Sequence, residues 1–90
     1  MIRVETPDTI SAFDLVERLR GYRAHSSPLD GGAQEVVVED FPKGNLREIL
    51  EHVSEWAAAY ALDTVALRVG SASYRLRVDR HGGLEWHEVG

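Results

Sequence analysis

The chain has 90 residues, ten basic and fifteen acidic, with no cysteine and a net charge of −5. That length suits one small domain spanning residues 1–90, which buries only about 60% of the surface its unfolded chain exposes. Without thiols, disulfides, thiolate zinc sites, thiol nucleophiles and thiol redox chemistry are excluded, and the acidic balance argues against general attraction to nucleic acid or anionic membranes.

Hydrophobic residues make up 43% of the chain and charged residues 28%, the balance of a globular domain rather than a disordered one. No stretch approaches the roughly 18 apolar residues of a membrane-spanning helix. Met1-Ile2-Arg3-Val4-Glu5 has no apolar run before Pro7, so no signal peptide is expected. A secreted domain this small would often need staples, so a cytoplasmic location is expected. Nine of the ten basic residues are arginine, and with abundant Ala, Val and Gly this composition fits a GC-rich bacterial genome.

In chain order, residues 2 to 5 read as a short strand. Thr6-Pro7 reads as a helix start, with Thr6 as N-cap, Pro7 in the first turn and Asp8 adding favourable negative charge there. Ala12, Leu15, Val16, Leu19 and Tyr22 then recur at helical spacing, Phe13 flanks that stripe, and Gly21 is the expected helix end. Residues 23 to 33, with Ser26, Ser27, Pro28, Asp30, Gly31 and Gly32, read as a loop. Glu35-Val36-Val37-Val38-Glu39 is β-branched and bounded by turn residues, the pattern of a buried strand.

After a second loop at residues 40 to 44, Asn45 is positioned to cap a helix, with Glu48 three residues on. The helix of residues 45 to 61 places Leu46, Ile49, Leu50, Val53, Ala57 and Tyr60 on one stripe, extended by Trp56. Val65, Leu67 and Val69, then Tyr74, Leu76 and Val78, alternate with polar residues around Gly70-Ser71, which predicts a hairpin with one packed and one wet face. Beyond His81-Gly82-Gly83, the alternation of Leu84 and Trp86 with Glu85 and His87 fits either an extra edge strand or a surface tail over residues 81–90.

The expected fold class is α+β: a two-layer α/β sandwich in the order β-α-β-α-β-β, with two helices on one face of a mixed sheet. Each strand–helix–strand unit is expected to cross over right-handedly. Over about residues 2 to 79 this order resembles the sulfur-carrier family typified by TusA, the C-terminal domain of translation initiation factor three and Alba-type chromatin proteins. The sulfur carriers place Cys-Pro-x-Pro where the first strand meets the first helix. The corresponding residues are Thr6-Pro7-Asp8-Thr9, so the resemblance implies the fold without the sulfur chemistry. The nucleic-acid-binding relatives use many basic residues, and this chain has a single lysine.

The binding candidates are the arginines. Arg68, Arg75 and Arg77 fall on the polar face of the hairpin, and Arg3 on the first strand joins them. Such a face suits an acidic peptide, a phosphate or a nucleic acid, unless the arginines simply pair with Glu5, Glu35, Glu39 or Glu85. Phe41 and Trp86 are candidate anchors for a protein partner if exposed, and core residues otherwise. His81 and His87 near Glu85 and Glu88 lack the fixed spacing of a metal site, so no metal or cofactor is expected. No serine sits in a nucleophile elbow and no glycine-rich phosphate loop is present, so no catalytic set is expected. The sequence therefore points to a non-catalytic domain acting through an unidentified protein partner or a homodimer. One alternative is nucleic-acid or anionic-ligand binding at the arginines; another is a small-ligand enzyme site around Asp40, Phe41 and residues 26 to 32. Neither nucleic acid nor a membrane is the expected partner.

Overall fold

The computed structural model describes residues 1–39, 43–78 and 84–89. The elements run β1 (Ile2–Thr6), α1 (Thr9–Arg18), β2 (Ala24–Pro28), β3 (Gln34–Val38), α2 (Leu46–Ala59), β4 (Thr64–Val69), β5 (Ala72–Val78) and β6 (Leu84–Val89). The strands form one sheet in the order β2-β3-β1-β4-β5-β6, with every neighbouring pair antiparallel.

The α+β sandwich stands, with two changes to the expected layout. The segment of residues 23 to 33 is not all loop, because Ala24–Pro28 pairs along β3 as an edge strand. Its residues are too polar to show the alternation that marks a half-buried strand. The sheet is antiparallel rather than mixed. β1 and β2 are parallel to each other, but β3 lies between them; β3 and β4 are parallel, but β1 lies between them. Each helical connection thus skips one strand position, and the other unit's strand fills it. The first four strands and both helices form the split β-α-β arrangement called ferredoxin-like, to which the β5–β6 hairpin is added.

Alternation in β1 divides the molecule. Ile2, Val4 and Thr6 are buried against the helices, while Arg3 and Glu5 face the other way. Val36 and Val38 of β3 and Leu67 of β4 sit opposite Val4 or Ile2 and complete the inner face. From the helices come Ala12, Leu15, Ile49, Val53, Trp56 and Ala57. Trp56 is fully buried, and its indole N–H donates to the Ser11 carbonyl oxygen at 2.8 Å, so the largest core side chain ties α2 to the first turn of α1.

Helix α1 starts two residues later than the sequence suggests. Thr6 remains in β1 and its hydroxyl donates to the Gln34 carbonyl oxygen at 2.9 Å, so it is committed to the sheet. Asp8 is the N-cap instead: its carboxylate accepts from the Ser11 backbone N–H at 2.7 Å and from the Ser11 hydroxyl at 2.8 Å. The backbone bond first, and the hydroxyl bond second, hold this carboxyl below its ordinary range. At the far end, the helix closes before Gly21, through a 3-10 turn at Arg20–Tyr22, and the left-handed residue is Arg23. That turn directs the Tyr22 hydroxyl to Glu48 Oε2 on α2, where it donates at 2.8 Å. The bond to Glu48 raises the Tyr22 hydroxyl above its ordinary pKa. The predicted Asn45–Glu48 capping box does not form through Asn45, whose side chain makes no cap bond.

Helix α2 ends in a Schellman motif: Leu62 N–H donates to Ala57 O at 2.9 Å and Ala61 N–H to Ala58 O at 3.1 Å. The motif puts Ala61 at φ 53°, where a β-carbon is strained. Ala61→Gly should therefore raise stability by about 0.5–1 kcal/mol in urea unfolding followed by circular dichroism. The cap predicts a pH signature. Asp8 is depressed in the folded state, so its contribution is full above the unfolded carboxylate pKa and is lost as pH falls through the folded value. The stability gap between the wild type and Asp8→Ala should be constant near neutrality and shrink as acid is added below about pH 4. A gap that does not change with pH counts against the cap.

Candidate functional site

Two helices, each roughly 10 Å across, pack on one side of the sheet and leave the other bare. The strand register lays out that bare face. β1 contributes Arg3 and Glu5, β3 Glu35 and Val37, β4 Thr64, Ala66 and Arg68, β5 Ser73, Arg75 and Arg77, and β6 Glu85 and His87. All four predicted arginines therefore share one face, as the hairpin alternation indicated. These strands carry four arginines against three glutamates on this side, and the rest of the chain holds twice as many acidic as basic residues.

Arg3 and Arg68 are directly opposite each other on neighbouring strands. Like charges so placed are destabilising in a sheet. Among the described residues, only Arg3 of the two has a carboxylate within reach, Glu35 Oε1 at 3.8 Å from its Nη1, and the pair is partly exposed. Its Nε also lies 3.2 Å from Met1 Sδ. Among the described residues, Arg68, Arg75 and Arg77 form no ion pair, although Arg77 has Glu85 as its register partner. The carboxylate of Glu85 lies 3.5 Å from His87 Nε2 instead. Cross-strand pairing thus accounts for one of the four arginines.

Arg3, Arg68 and Arg75 border a shallow depression of about 280 Å³, with Glu5, Glu35 and Ser73 on its rim and Ala66 on its floor. Val37, beside it, is only 6% exposed although no helix covers it, so neighbouring side chains lie across it. A second hollow, of about 270 Å³, lies on the helix side between Leu46 and Leu50 of α2 and Leu67, Val69 and Tyr74, and its lining is apolar.

The two aromatic candidates do not join the arginines. Phe41, with Asp40, lies outside the described residues, and so does His81. Trp86 takes the register position opposite Leu76, a core residue, and not a position on the arginine face. Among the described residues no group of three His, Asp or Glu side chains is arranged to hold a metal ion, and no helix is long and apolar enough to cross a membrane.

The sequence reading missed an exposed apolar pair on α1. Ile10 is 76% exposed and Phe13 66%. They stand three residues apart on the outer surface of the helix, with Glu17 one turn beyond, also exposed. Phe13 at the flank of an apolar stripe reads as core in one dimension. The signal that could have found it is angular: the buried arc centres on Ala12, Leu15 and Leu19, and Phe13 projects about 130° away from its centre.

No protein-family model, curated protein or solved structure matches this chain. Its function therefore has to be argued from the faces themselves, because a ferredoxin-like arrangement does not by itself carry an activity.

If the Arg3–Arg68 juxtaposition is a true like-charge cost, Arg68→Glu should stabilise the fold by about 0.5 kcal/mol at low salt, and the gain should fade as salt screens it. Thermal melts at two ionic strengths measure both effects. A loss of stability at low salt contradicts the cost.

Proposed function

We propose that this protein is a non-catalytic binding domain whose uncovered sheet face holds an acidic segment of a protein partner. The observation that carries the reading is Arg3 opposite Arg68, with Arg75 alongside, on the rim of one depression and with a single carboxylate partner between them. Guanidinium groups make charge-assisted, often bidentate bonds to carboxylates, and an arranged set of them is costly without such a ligand. The extended geometry of a sheet face suits an extended peptide, whose alternate side chains would meet successive strands.

Nucleic acid fits this face less well. Single-stranded RNA and DNA are held on sheet surfaces by aromatic side chains stacked on bases. Among the described residues, the strand positions on this face hold no Phe, Tyr or Trp.

The test is a titration of ¹⁵N-labelled protein with a polyglutamate peptide and, separately, with oligouridylate. Polyglutamate should shift the amides of β1, β4 and β5, bind more weakly as salt rises, and lose about tenfold in affinity in Arg68→Ala/Arg75→Ala. Arg47→Ala, an exposed arginine on α2, should bind as the wild type. No binding at low salt, equal loss in the Arg47 variant, or tighter binding of oligouridylate than of polyglutamate would each overturn the reading.

A further inference from the structure

The exposed pair on α1 and the arginine face lie on opposite sides of the molecule and are complementary. We propose that the occupant of the arginine face is α1 of a second copy of this chain, so that copies associate head to tail. The inference rests on the reading of the arginine face as a site for an acidic protein segment, and it names that segment.

Three features of the two surfaces match. The first is shape. Phe13 is a large apolar side chain standing clear of its own domain, and the depression of about 280 Å³, floored by Ala66 and bordered by Arg3, Arg68, Arg75, Glu5 and Glu35, has room for a phenyl ring. Arginine planes stack favourably on aromatic rings, so a ring seated there would be flanked by cations. The second is charge. Glu17, on the same helix surface one turn from Phe13, is exposed and forms no ion pair among the described residues, while Arg68, Arg75 and Arg77 are likewise unpaired. The third is location. The helix layer is the acidic side, with Asp8, Asp14 and Glu17 on α1 and Glu48, Glu51 and Glu55 on α2, whereas arginines outnumber glutamates on the open sheet.

An exposed Ile–Phe pair needs cover, and an aromatic anchor ringed by charge is the common form of an interface hot spot. A contact between two different surfaces of the same chain is heterologous. It leaves one free site at each end, so assembly continues with concentration unless the rotation closes a ring.

The experiment is sedimentation velocity across a wide concentration range, at about 50 mM and about 500 mM salt. The wild type should grow beyond a dimer at low salt and shrink toward the monomer at high salt. Phe13→Ser and Arg68→Glu/Arg75→Glu change exposed residues only, and circular dichroism should report both as folded. Each should be monomeric alone. Mixed, they should form a one-to-one pair and nothing larger, because each retains the one surface that the other lacks. A wild type that stays monomeric overturns the proposal, as does an assembly that survives either variant. An α1-to-α1 dimer, lost in Phe13→Ser but kept in the arginine variant, overturns it too. Polyglutamate binding by a strictly monomeric wild type would leave the arginine face as a binding site for another acidic partner and remove only the self-association.

Discussion

The structure depends on the position of β1. It is hydrogen-bonded on both sides, to β3 and to β4; α1 connects it to β2, the edge strand beyond β3, and α2 connects β3 to β4. Five residues in the middle of the sheet therefore have one face under the helices and one in solvent. Ile2, Val4 and Thr6 are fixed inward, and Arg3 and Glu5 are fixed outward. A slip of one residue in this strand would bury two charges and expose two large aliphatic side chains, so the register is strongly held.

That constraint produces the asymmetry of the surface. Both helices pack on one face, and among the described residues no element covers the other. The bare face has to be polar, and in this chain its polarity takes the form of arginines aligned across three neighbouring strands. The helix layer carries most of the acid. Charge separation of this kind gives little stability, since exposed ion pairs contribute about 0–1 kcal/mol each, and the opposed Arg3 and Arg68 detract from it. Its effect is on what approaches each side.

The interior is held by ordinary means with one specific addition. Most of the core is aliphatic and tolerant of rearrangement, but the Trp56 indole must find a hydrogen-bond acceptor, and it finds the Ser11 carbonyl. The same turn of α1 is capped by Asp8 through Ser11. One serine thus links the cap of α1 to the buried face of α2, which fixes the angle at which α1 presents Ile10 and Phe13 outward.

The α2 stripe, the β3 valines and the alternation of the hairpin were legible in the chain because each is a local period: 3.6 for the helix, 2 for the strands. For the same reason the arginines of β4 and β5 could be assigned to one face, and Arg3 with them. Strand β2 was not legible, because Ala24, His25, Ser26, Ser27 and Pro28 carry no such period and become a strand only by pairing with β3. The helix start at Asp8 rather than Thr6 was decided by a hydroxyl bond to Gln34, 28 residues away in the chain. Phe13, on the flank of the apolar stripe, is surface, since which arc of a helix is buried depends on where the sheet lies. The sequence by itself determined the elements whose pattern repeats within the segment, and hence the composition of each face. Only the tertiary structure decided strand order, antiparallel sense and which like charges meet, because those follow from hydrogen bonds between segments that no local period encodes.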